Sequence, residues 1–551
     1  MNRIRVALSF SVLLVLLGSC SKREAVQPQT AAVDDENTPV DGGTLNRRLP
    51  GDISTLNPIL SGSRYEHWII QYLFTPLLQV DANLNPTTAG SVTDKYEMSA
   101  DGKQFTFHLN PKATFSDGSP VLASDVLFTI AKIVDPKSES AQFAGQFEQF
   151  DPARSHADNA NRTVVVVFKE ALAPQLSYFP NIRPIPAHVY SQGDFKTAFS
   201  AAAVGAGPYR LVRRVMGKEV LLERRADYWG VKPHIQTILF KVIGDDNTAW
   251  QAVKRGDIDE TIMSSDMWAM ESNRPELRKI LDFRRFYMLS YNFVGWNTRD
   301  PLLADKRVRR ALAMCVDLQS VINNIYHGTA RAMNGPFVPD QWSYNPEVPV
   351  IQFNPDEGKR VLNSLGWLDT DGDGILDKGG KPFKLEMVVV GGNSASNPFA
   401  QIFQSALKSV GVDLKVTPLD PSGFFDRFLA GNFQVTYLAW DLDPDPDPRA
   451  LFHSSQFPPA GQNIVFYKNP VADALIEQGR HELDHSRRVA IYRQLHAVMA
   501  DDQPYTWTVQ VSTKWAINKR VKGVKESKGW GIYLWYPGEL DWWIPKSMQK
   551  R

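Results

Sequence analysis

Segments with the two-residue period of a β-strand alternate with segments of helical period from about residue 43 onward. The strand-like runs include FTFHLNPKATF at 105–115 and RTVVVVF at 162–168, and the helix-like runs include SDVLFTIAKIV at 124–134 and DKRVRRALAMCV at 305–316. Each strand face and each helix stripe must bury its apolar side chains against another element, so this alternation predicts a mixed α/β protein. The sequence contains no internal repeat of the length found in solenoid proteins.

The length and charge of the chain limit its class further. Its 551 residues exceed what one hydrophobic core organises, which predicts two or three domains. Hydrophobic residues make up 43% and charged residues 22%, the balance of a globular protein. The 61 basic side chains are matched by 60 acidic ones, so the chain has no net field to attract a polyanion, and nucleic acid is not expected as a partner.

The N-terminus has the pattern of a secretory signal peptide over residues 1–19. Arg3 and Arg5 supply positive charge, an apolar run follows from Ala7 to Leu17, and Leu-Gly-Ser precedes Cys20. The run is too short and too close to the N-terminus to be a membrane-spanning helix of the mature protein. The LGSC sequence resembles a bacterial lipobox, which predicts cleavage before Cys20 and lipid that holds its thiol at a membrane face. An ordinary signal peptide followed by an accidental cysteine is the alternative.

Residues 20–42 are expected to connect this anchor to the folded part as a tether. They are rich in Gln, Thr, Ala, Asp and Pro and have few large apolar side chains, so they cannot offset the entropy of ordering. The only other cysteine, Cys315, lies in the helix-like run at 305–316, where a buried unreactive thiol is expected. With Cys20 lipidated, no disulfide can form within the mature chain.

HELDH at 481–485 satisfies the HExxH pattern of zinc peptidases. In such a site His481 and His485 would bind zinc from one face of a continuous helix, and Glu482 would act as general base. The surrounding sequence instead predicts a break, because Asp484 is placed as the N-cap of a second helix. Two solvated surface histidines are therefore expected, and a secreted zinc peptidase is a remote alternative. No complete catalytic set of another kind occurs, so no enzyme is expected.

DTDGDGILDKGG at 369–380 follows part of the ligand spacing of a calcium-binding loop. The carboxylates at positions one, three, five and nine are those of Asp369, Asp371, Asp373 and Asp377. Position twelve is Gly380 rather than the bidentate Glu of such loops. A tight Asp/Gly turn that needs no ion is the alternative, and the sequence leaves both open. Either role would be structural, and no cofactor is required by the rest of the chain.

Longer patterns in the chain resemble one family, and they occur in the order that the family has. They are STLNPIL at 54–60, AGSVTDKYEMSADGKQFTFHLNPKATFSDGSPVLASDVLFTI at 89–130, GAGPYRL at 205–211, AWQAVKRGDID at 249–259, NTRDPLLADKRVRRALAMCVD at 297–317 and FDRFLAGNFQVTYLAWDLDPDPDP at 425–448. These stretches resemble the bacterial extracellular solute-binding proteins of family 5, which include dipeptide- and oligopeptide-binding lipoproteins of ABC importers. The resemblance extends from about residue 43 to about residue 545.

The resemblance implies a two-lobed periplasmic-binding-protein fold of the α/β class, with hinge strands between the lobes and an extra subdomain inserted in lobe one. The implied ranges are 43–75, 196–288 and 506–545 for lobe one, 76–195 for the inserted subdomain, and 289–505 for lobe two. A cleft between mobile lobes can bury nearly all of a ligand and release it when the lobes part.

The resemblance also implies a ligand-binding carboxylate. In the peptide-binding members a strand with Trp, followed three positions later by Asp, lines the cleft, and that carboxylate holds the α-ammonium group of the ligand. The matching residues here are Trp440 and Asp443, and such a contact contributes about 1.5–3 kcal/mol through charge-assisted hydrogen bonds. The run DLDPDPDP also offers Asp441, Asp445 and Asp447. Asp443 is the preferred residue and Asp441 a further candidate, while a proline-stiffened acidic surface loop is the alternative for any one of them.

Two segments are expected to pair with the main chain of an extended peptide. One is the strand from Tyr437 to Trp440, which includes Ala439. The other is Asp52–Thr55, with Ile53 and Ser54, which resembles the contact strand that the family has in lobe one. Main-chain bonding does not depend on side chains, as a receptor for varied peptides requires.

Together these features predict an extracytoplasmic, lipid-anchored receptor of an ABC importer that binds di- or oligopeptides and delivers them to the permease. A monomer is expected. The same fold binding an oligosaccharide, a nickel complex or haem is the alternative. No motif selects the residue that pairs with the ligand's carboxylate. By position, the candidates are Arg427, Arg449 and Lys468.

Overall fold

The computed structural model describes residues 37–199, 203–391, 396–459 and 461–549. The predicted signal peptide, Cys20 and most of the tether lie outside these ranges. Within the ranges, twenty-one strands and sixteen helices alternate, which confirms the mixed α/β class. No helix of this described part combines the length and apolar character needed to cross a membrane.

The strands, in chain order, are β1 (Thr44–Leu49), β2 (Gln79–Val80), β3 (Pro86–Thr87), β4 (Thr93–Met98), β5 (Gln104–Leu109), β6 (His156–Asp158), β7 (Thr163–Val167), β8 (Tyr209–Val215), β9 (Glu219–Arg224), β10 (Thr237–Val242), β11 (Glu260–Ile262), β12 (Leu281–Tyr287), β13 (Ser290–Trp296), β14 (Ala330–Ala332), β15 (Asp377–Lys378), β16 (Lys381–Pro382), β17 (Lys384–Val390), β18 (Asp413–Leu419), β19 (Val435–Asp441), β20 (Tyr505–Trp507) and β21 (Val509–Asn518). The helices are α1 (Arg64–Leu73), α2 (Ala123–Val134), α3 (Ala141–Ala144), α4 (Gln175–Tyr178), α5 (Ala187–Tyr190), α6 (Asp246–Arg255), α7 (Ser265–Glu271), α8 (Pro275–Arg278), α9 (Lys306–Ala313), α10 (Leu318–Asn324), α11 (Pro355–Ser364), α12 (Ser396–Ser409), α13 (Pro421–Leu429), α14 (Arg449–Phe452), α15 (Pro470–His481) and α16 (His485–Asp502).

Local chemistry determines where the predicted elements end. The helix predicted at 124–134 is α2 and the strand predicted at 162–168 is β7. The strand predicted at 105–115 stops six residues early, as β5, because Pro111 has no N–H and a turn follows, in which the N–H of Lys112 donates to the side chain of Asn110 at 2.9 Å. The helix predicted at 305–316 ends at Ala313, as α9, shortly before α10 begins.

Cys315 lies in the short connection between α9 and α10, within the apolar core of lobe two. Its side chain is completely buried. Burial raises the pKa of this thiol to about 12, so it stays protonated and unreactive, as predicted.

Lobe one contains two four-stranded sheets that share a core. One has the strand order β1-β10-β9-β8, with β1 parallel to β10. The other is antiparallel, has the order β4-β5-β7-β6, and lies wholly within the segment 76–195. Leu45, Phe105 and Val164 belong to one continuous apolar cluster that spans both sheets. The inserted segment therefore packs onto the rest of lobe one.

Lobe two is built on a five-stranded sheet with the order β18-β17-β19-β13-β20. β17 runs parallel to β18 and β19, whereas β13 runs antiparallel to β19 and β20. Successive residues of β17 enter different apolar clusters. Met387 belongs to the same apolar cluster as Phe399 of α12, and Val388 belongs to the same cluster as Leu495 of α16. Helices therefore cover both faces of this sheet.

Two chain crossings connect the lobes. β12 ends at Tyr287 in a sheet with β21 and β11, and β13 begins at Ser290 in the sheet of lobe two. β20 adds Thr506 and Trp507 to the sheet of lobe two, and the chain then returns as β21. β21 pairs first with β14 and then with β12 and β11, so it passes from one lobe into the other. Strands that cross between lobes in this way allow the lobes to rotate about the crossings.

Lobe one buries a charged cluster around Arg47 of β1. The Nε of Arg47 donates to Oε1 of Glu260 at 2.5 Å, and its Nη1 donates to the hydroxyl of Tyr72 at 2.8 Å. The ring of Tyr533 lies against the guanidinium, with the ring centroid 4.3 Å from Cζ. Glu539 brings a second carboxylate to 3.6 Å from Nη1. One cation thus faces two buried carboxylates, and burial raises the pKa of Glu539 to about 8.

We expect this raised pKa to make stability depend on pH. Glu539 titrates near pH 4.5 when unfolded and near pH 8 when folded, so the folded state binds the extra proton between these values. The contribution of Glu539 to the free energy of unfolding is therefore fully present below about pH 4.5 and is lost as pH rises through about 8. Between these values the free energy of unfolding falls by on the order of 1.4 kcal/mol per pH unit at most. Glu539→Gln removes this titration. The free energy of unfolding of the variant minus that of the wild type should therefore be larger at pH 8 than at pH 5. Urea unfolding at both pH values measures it, and equal differences would contradict the expectation.

Candidate functional site

The acidic run predicted to bind the ligand follows directly on β19, at one of the two lobe crossings. The N–H of Leu442 donates to the C=O of Leu289 at 2.7 Å, which attaches the start of the run to that crossing. Asp443 lines a cavity of about 120 Å³, together with Trp440 and Gln341. The side-chain amide of Gln341 donates to the C=O of Asp443 at 2.9 Å, and this bond holds the main chain at the cavity.

Three of the four carboxylates in this run are already paired with arginines. The pairs are Asp441 with Arg64 at 2.6 Å, Asp445 with Arg488 at 2.7 Å, and Asp447 with Arg480 at 3.2 Å. The carboxylate of Asp443 has no hydrogen-bond or ion-pair partner among the described residues. The fold therefore distinguishes Asp443 from its three neighbours by leaving its charge available.

The surroundings of Asp443 shift its titration. Burial, and then the negative charges of Asp447 and Asp445, raise the pKa of Asp443 to about 6, although the side chain still contacts solvent in the cavity. The residue is exposed to the cleft, so its carboxylate is ionised at neutral pH and accessible to a ligand. An ammonium group that entered the cavity would form a charge-assisted hydrogen bond with it.

β19 has an open main-chain edge next to Asp443. β13 pairs with β19 along its whole length. On the opposite side, β17 pairs only with Val435 and Thr436. Within the described ranges no strand pairs with that side from Tyr437 to Asp441. The main-chain N–H and C=O groups of this stretch that point away from β13 can therefore bond to an extended ligand.

The side chains of β19 differ in what they can contact. Tyr437 is buried, and its ring stacks on that of Phe399 with the centroids 3.9 Å apart, so this side chain belongs to the core. Trp440 is half-buried and donates from Nε1 to the hydroxyl of Tyr505 at 3.2 Å, which holds its ring at the edge of the cavity. Ala439 is exposed, and its small size leaves space for a side chain of a ligand.

The lobe-one segment predicted to pair with the ligand, Asp52–Thr55, is irregular rather than a strand. Its last two N–H groups donate to Oε1 of Glu66 at 2.9 and 3.1 Å. The C=O of Ile53 accepts from Arg214, and the Ile53 side chain is buried, whereas Ser54 is exposed. These main-chain groups already have partners inside the protein and are not free to pair with a ligand. Ligand contact through this segment stays a prediction.

Lobe one also contacts the acidic run from the opposite side of the cleft. Arg64 is the first residue of α1, and Tyr178, in the inserted subdomain, donates to Asp447 at 2.6 Å. Arg449, just after the run, pairs with Glu148 of the same subdomain at 2.9 Å. These contacts join residues 269 to 377 positions apart, which no local sequence pattern could have revealed. The loop that carries Asp443 is thus held between the two lobes.

The zinc-like pattern HELDH is divided between two helices, as predicted. α15 ends at His481, and α16 begins at His485 after the N-cap Asp484, whose carboxylate accepts from the N–H of Arg487 at 2.9 Å. The carboxylate of Glu482 pairs with the same arginine at 2.8 Å. The two histidines do not share one continuous helix, so the arrangement that a zinc peptidase needs is not formed.

The Asp-rich loop brings part of a calcium ligand set together. Ligand oxygens of Asp369, Asp371 and Asp373 lie within 4.8 Å of one another, and all three side chains are exposed. Asp377 is engaged elsewhere, because its two oxygens accept from the hydroxyl of Thr370 at 2.8 and 2.7 Å. Three carboxylates fit part of a calcium shell, so calcium binding stays a prediction, with Asp377 outside the set.

Comparisons with known proteins agree with this architecture. Residues 87–462 match the family described as bacterial extracellular solute-binding proteins, family 5 Middle. The oligopeptide-binding protein AppA of Bacillus subtilis (strain 168) is 27% identical over 562 residues, which cover 99% of this chain and 100% of that protein.

Two solved structures show the same architecture. AppA from Bacillus subtilis in complex with a nonapeptide has a TM-score of 0.81 at 25% identity and covers 92% of this chain and 100% of its own. NikZ from Campylobacter jejuni in complex with Ni(L-His) has a TM-score of 0.79 at 22% identity and covers 91% of this chain and 99% of its own.

An α/β molecule with two lobes, two chain crossings and a cavity at the crossing defines a periplasmic-binding-protein fold. This confirms the architecture implied by the sequence patterns. The chain belongs to the bacterial extracellular solute-binding proteins of family 5. Members of this family are transport receptors rather than enzymes, which excludes the zinc-peptidase alternative.

Proposed function

We propose that this chain is an extracytoplasmic receptor of an ABC importer that binds di- or oligopeptides between its lobes and delivers them to the permease. The observation that carries the proposal is the unpaired carboxylate of Asp443 beside the open edge of β19. Every peptide with a free N-terminus offers one ammonium group and a regular row of main-chain donors and acceptors. The two features of the site match these constant parts of a peptide.

The relatives favour peptides over other solutes. The Bacillus subtilis relative is an oligopeptide-binding protein, and its solved structure contains a nonapeptide. The NikZ structure contains Ni(L-His) in the same fold, so the fold alone does not select the ligand. Among the described residues that line the Asp443 cavity there is no histidine, which favours a peptide over a metal complex held by an imidazole of the protein.

The N-terminal pattern supports a location at the cell envelope. The predicted signal peptide would direct export, and lipid on Cys20 would attach the receptor to a membrane. Residues 20–42 would then let the two lobes stand off that surface and reach the permease.

Analysis of the natural ligand tests this function. The protein is purified under native conditions, and the extracted ligand is identified by mass spectrometry. We expect a mixture of intact peptides. After ligand removal, added peptides should release or absorb heat in calorimetry and make the protein more compact in solution scattering. Recovery of only non-peptide solutes, together with no heat and no compaction on adding peptides, would refute the proposal.

A further inference from the structure

Lys514, on β21, places a buried ammonium group beside the interlobe cleft. The residue is 2% exposed. Its Nζ donates to the hydroxyl of Ser265 at 3.0 Å and to the C=O of Ser512 at 2.9 Å. Both acceptors are neutral. Removing a cation from water without an opposite charge is costly, so a buried position of this kind needs a compensating partner.

A second cation lies directly across from Lys514. Arg285 of β12 is its partner in the strand register, so the two side chains project from the same face of the sheet. Burial and then the charge of Arg285 lower the pKa of Lys514 to about 8, so the ammonium is still mostly protonated at neutral pH. Neither cation forms an ion pair with a carboxylate in the described part of the chain. Arg285 is exposed to solvent, so Lys514 is the buried member of the two and has no anion beside it.

Other buried cations of the protein are compensated. The buried arginines with a carboxylate within 3.2 Å are Arg47, Arg48, Arg225, Arg480, Arg488 and Arg520. Arg309 instead donates to four main-chain carbonyl groups. Lys514 is the one lysine among the buried polar residues of the described ranges, and it has a single main-chain carbonyl and a hydroxyl as acceptors and no carboxylate.

Lys514 lines a cavity of about 250 Å³ at the place where β21 passes from one lobe to the other. Tyr326 of lobe two lines the same cavity, as does the exposed Asp266, whose carboxylate pairs with His327 at 2.5 Å. Arg64 also lines it, and Asp441, the ion-pair partner of Arg64, lines the cavity that contains Asp443. The two cavities are therefore neighbouring parts of one cleft, with the unpaired carboxylate of Asp443 in one part and the ammonium group of Lys514 in the other.

The cations considered from sequence position do not compete for this role. Arg427 pairs with Glu386 at 2.7 Å, and Arg449 pairs with Glu148 at 2.9 Å. Lys468 is exposed.

We propose that Lys514, assisted by Arg285, binds a carboxylate of the ligand, so that the receptor selects peptides with a negative charge as well as a free N-terminus. This inference rests on the proposed peptide-binding function and specifies its ligand. The ligand would supply the counter-charge that Lys514 lacks, and the closed empty cleft would be destabilised by this uncompensated ammonium group. The carboxylate is that of the peptide C-terminus or of an Asp or Glu side chain, and the same chemistry recognises both.

Lys514→Met tests the proposal, because methionine has a similar length and no charge. Binding is measured by calorimetry with four peptides of one parent sequence: the free acid, the C-terminal amide, the amide with one internal Asp, and the amide with Asn in its place. If the C-terminus is the source, the wild type should bind the free acid roughly 10- to 100-fold more tightly than the amide. If a side chain is the source, the Asp amide should exceed the Asn amide by a similar factor. In either case, Lys514→Met should abolish the preference.

The variant is expected to fold, since replacing an unpaired buried charge by an apolar side chain of similar volume is neutral or stabilising. Its Tm without ligand should equal or exceed that of the wild type, and Lys514→Gln provides a second uncharged variant. Lys519→Met, at an exposed lysine just after β21, should bind like the wild type.

Three results would overturn the inference. If the wild type binds peptides but shows no preference for either acid, or if Lys514→Met keeps that preference, the carboxylate site is wrong and the proposed function stands. If the wild type binds none of the four peptides, both the site and the proposed function are wrong.

Discussion

Replacing Asp443 with alanine should weaken the binding of peptides with a free N-terminus by about 10- to 100-fold and leave N-acetylated peptides almost unaffected. The carboxylate has no partner in the described protein, so an ammonium group of the ligand would be its sole counter-ion. Calorimetry with matched free and acetylated peptides measures the difference.

Acidification should have a related effect, because the ligand must compete with protons at the carboxylate of Asp443, whose pKa is about 6. Affinity of the wild type for free peptides should fall below pH 6, and that of Asp443→Asn should not.

Asp441 provides a matched control for this prediction. It lies two residues away, but its carboxylate is already paired with Arg64 at 2.6 Å. Asp441→Asn should therefore weaken free and acetylated peptides to a similar, small extent. If Asp443→Ala weakens both kinds of peptide equally, or if Asp441→Asn produces the selective loss instead, the assignment of Asp443 to the ammonium group is wrong.

Replacing Arg47 with methionine should lower the free energy of unfolding by about 3–5 kcal/mol. The substitution removes the cation between Glu260 and Glu539 while keeping most of the side-chain volume, and it leaves the buried Glu260 without its counter-charge. Urea or thermal unfolding at neutral pH measures the loss.

An exposed ion pair of the same lobe serves as the control. Arg213 pairs with Glu219 at 2.7 Å, and its side chain is 53% exposed. Arg213→Met should change stability by less than about 1 kcal/mol. Adding Glu260→Gln to Arg47→Met should recover part of the loss, because the double variant no longer buries the unpaired Glu260 charge. Similar losses for the two single arginine variants would contradict this account of the cluster.

Features decided by neighbouring residues could be predicted from the sequence. The break within HELDH follows from the ability of Asp484 to accept from the N–H of Arg487, a contact three residues away. The alternation of periods predicted the α/β class, and the resemblance of long ordered patterns implied two lobes. The early end of β5 also has a local cause, because Pro111 has no N–H to donate to a neighbouring strand.

Features decided by distant residues could not be predicted. In the sequence, the four aspartates of DLDPDPDP are nearly equivalent, and only Asp443 matched a family pattern. The folded chain separates them by bringing arginines to the other three, among them Arg64, which is 377 residues from Asp441. For the same reason no pattern pointed to Lys514, whose neighbour Arg285 belongs to another strand.

The acidic run that carries Asp443 is also bonded to lobe one, through the ion pair of Arg64 with Asp441 and the hydrogen bond from Tyr178 to Asp447. Separation of the lobes would break these two contacts and open the cleft around the ligand in the same movement. Unloading should therefore be an all-or-none event, with little slow leakage from a receptor that remains shut. A permease that separates the lobes would therefore need no further step to release the ligand.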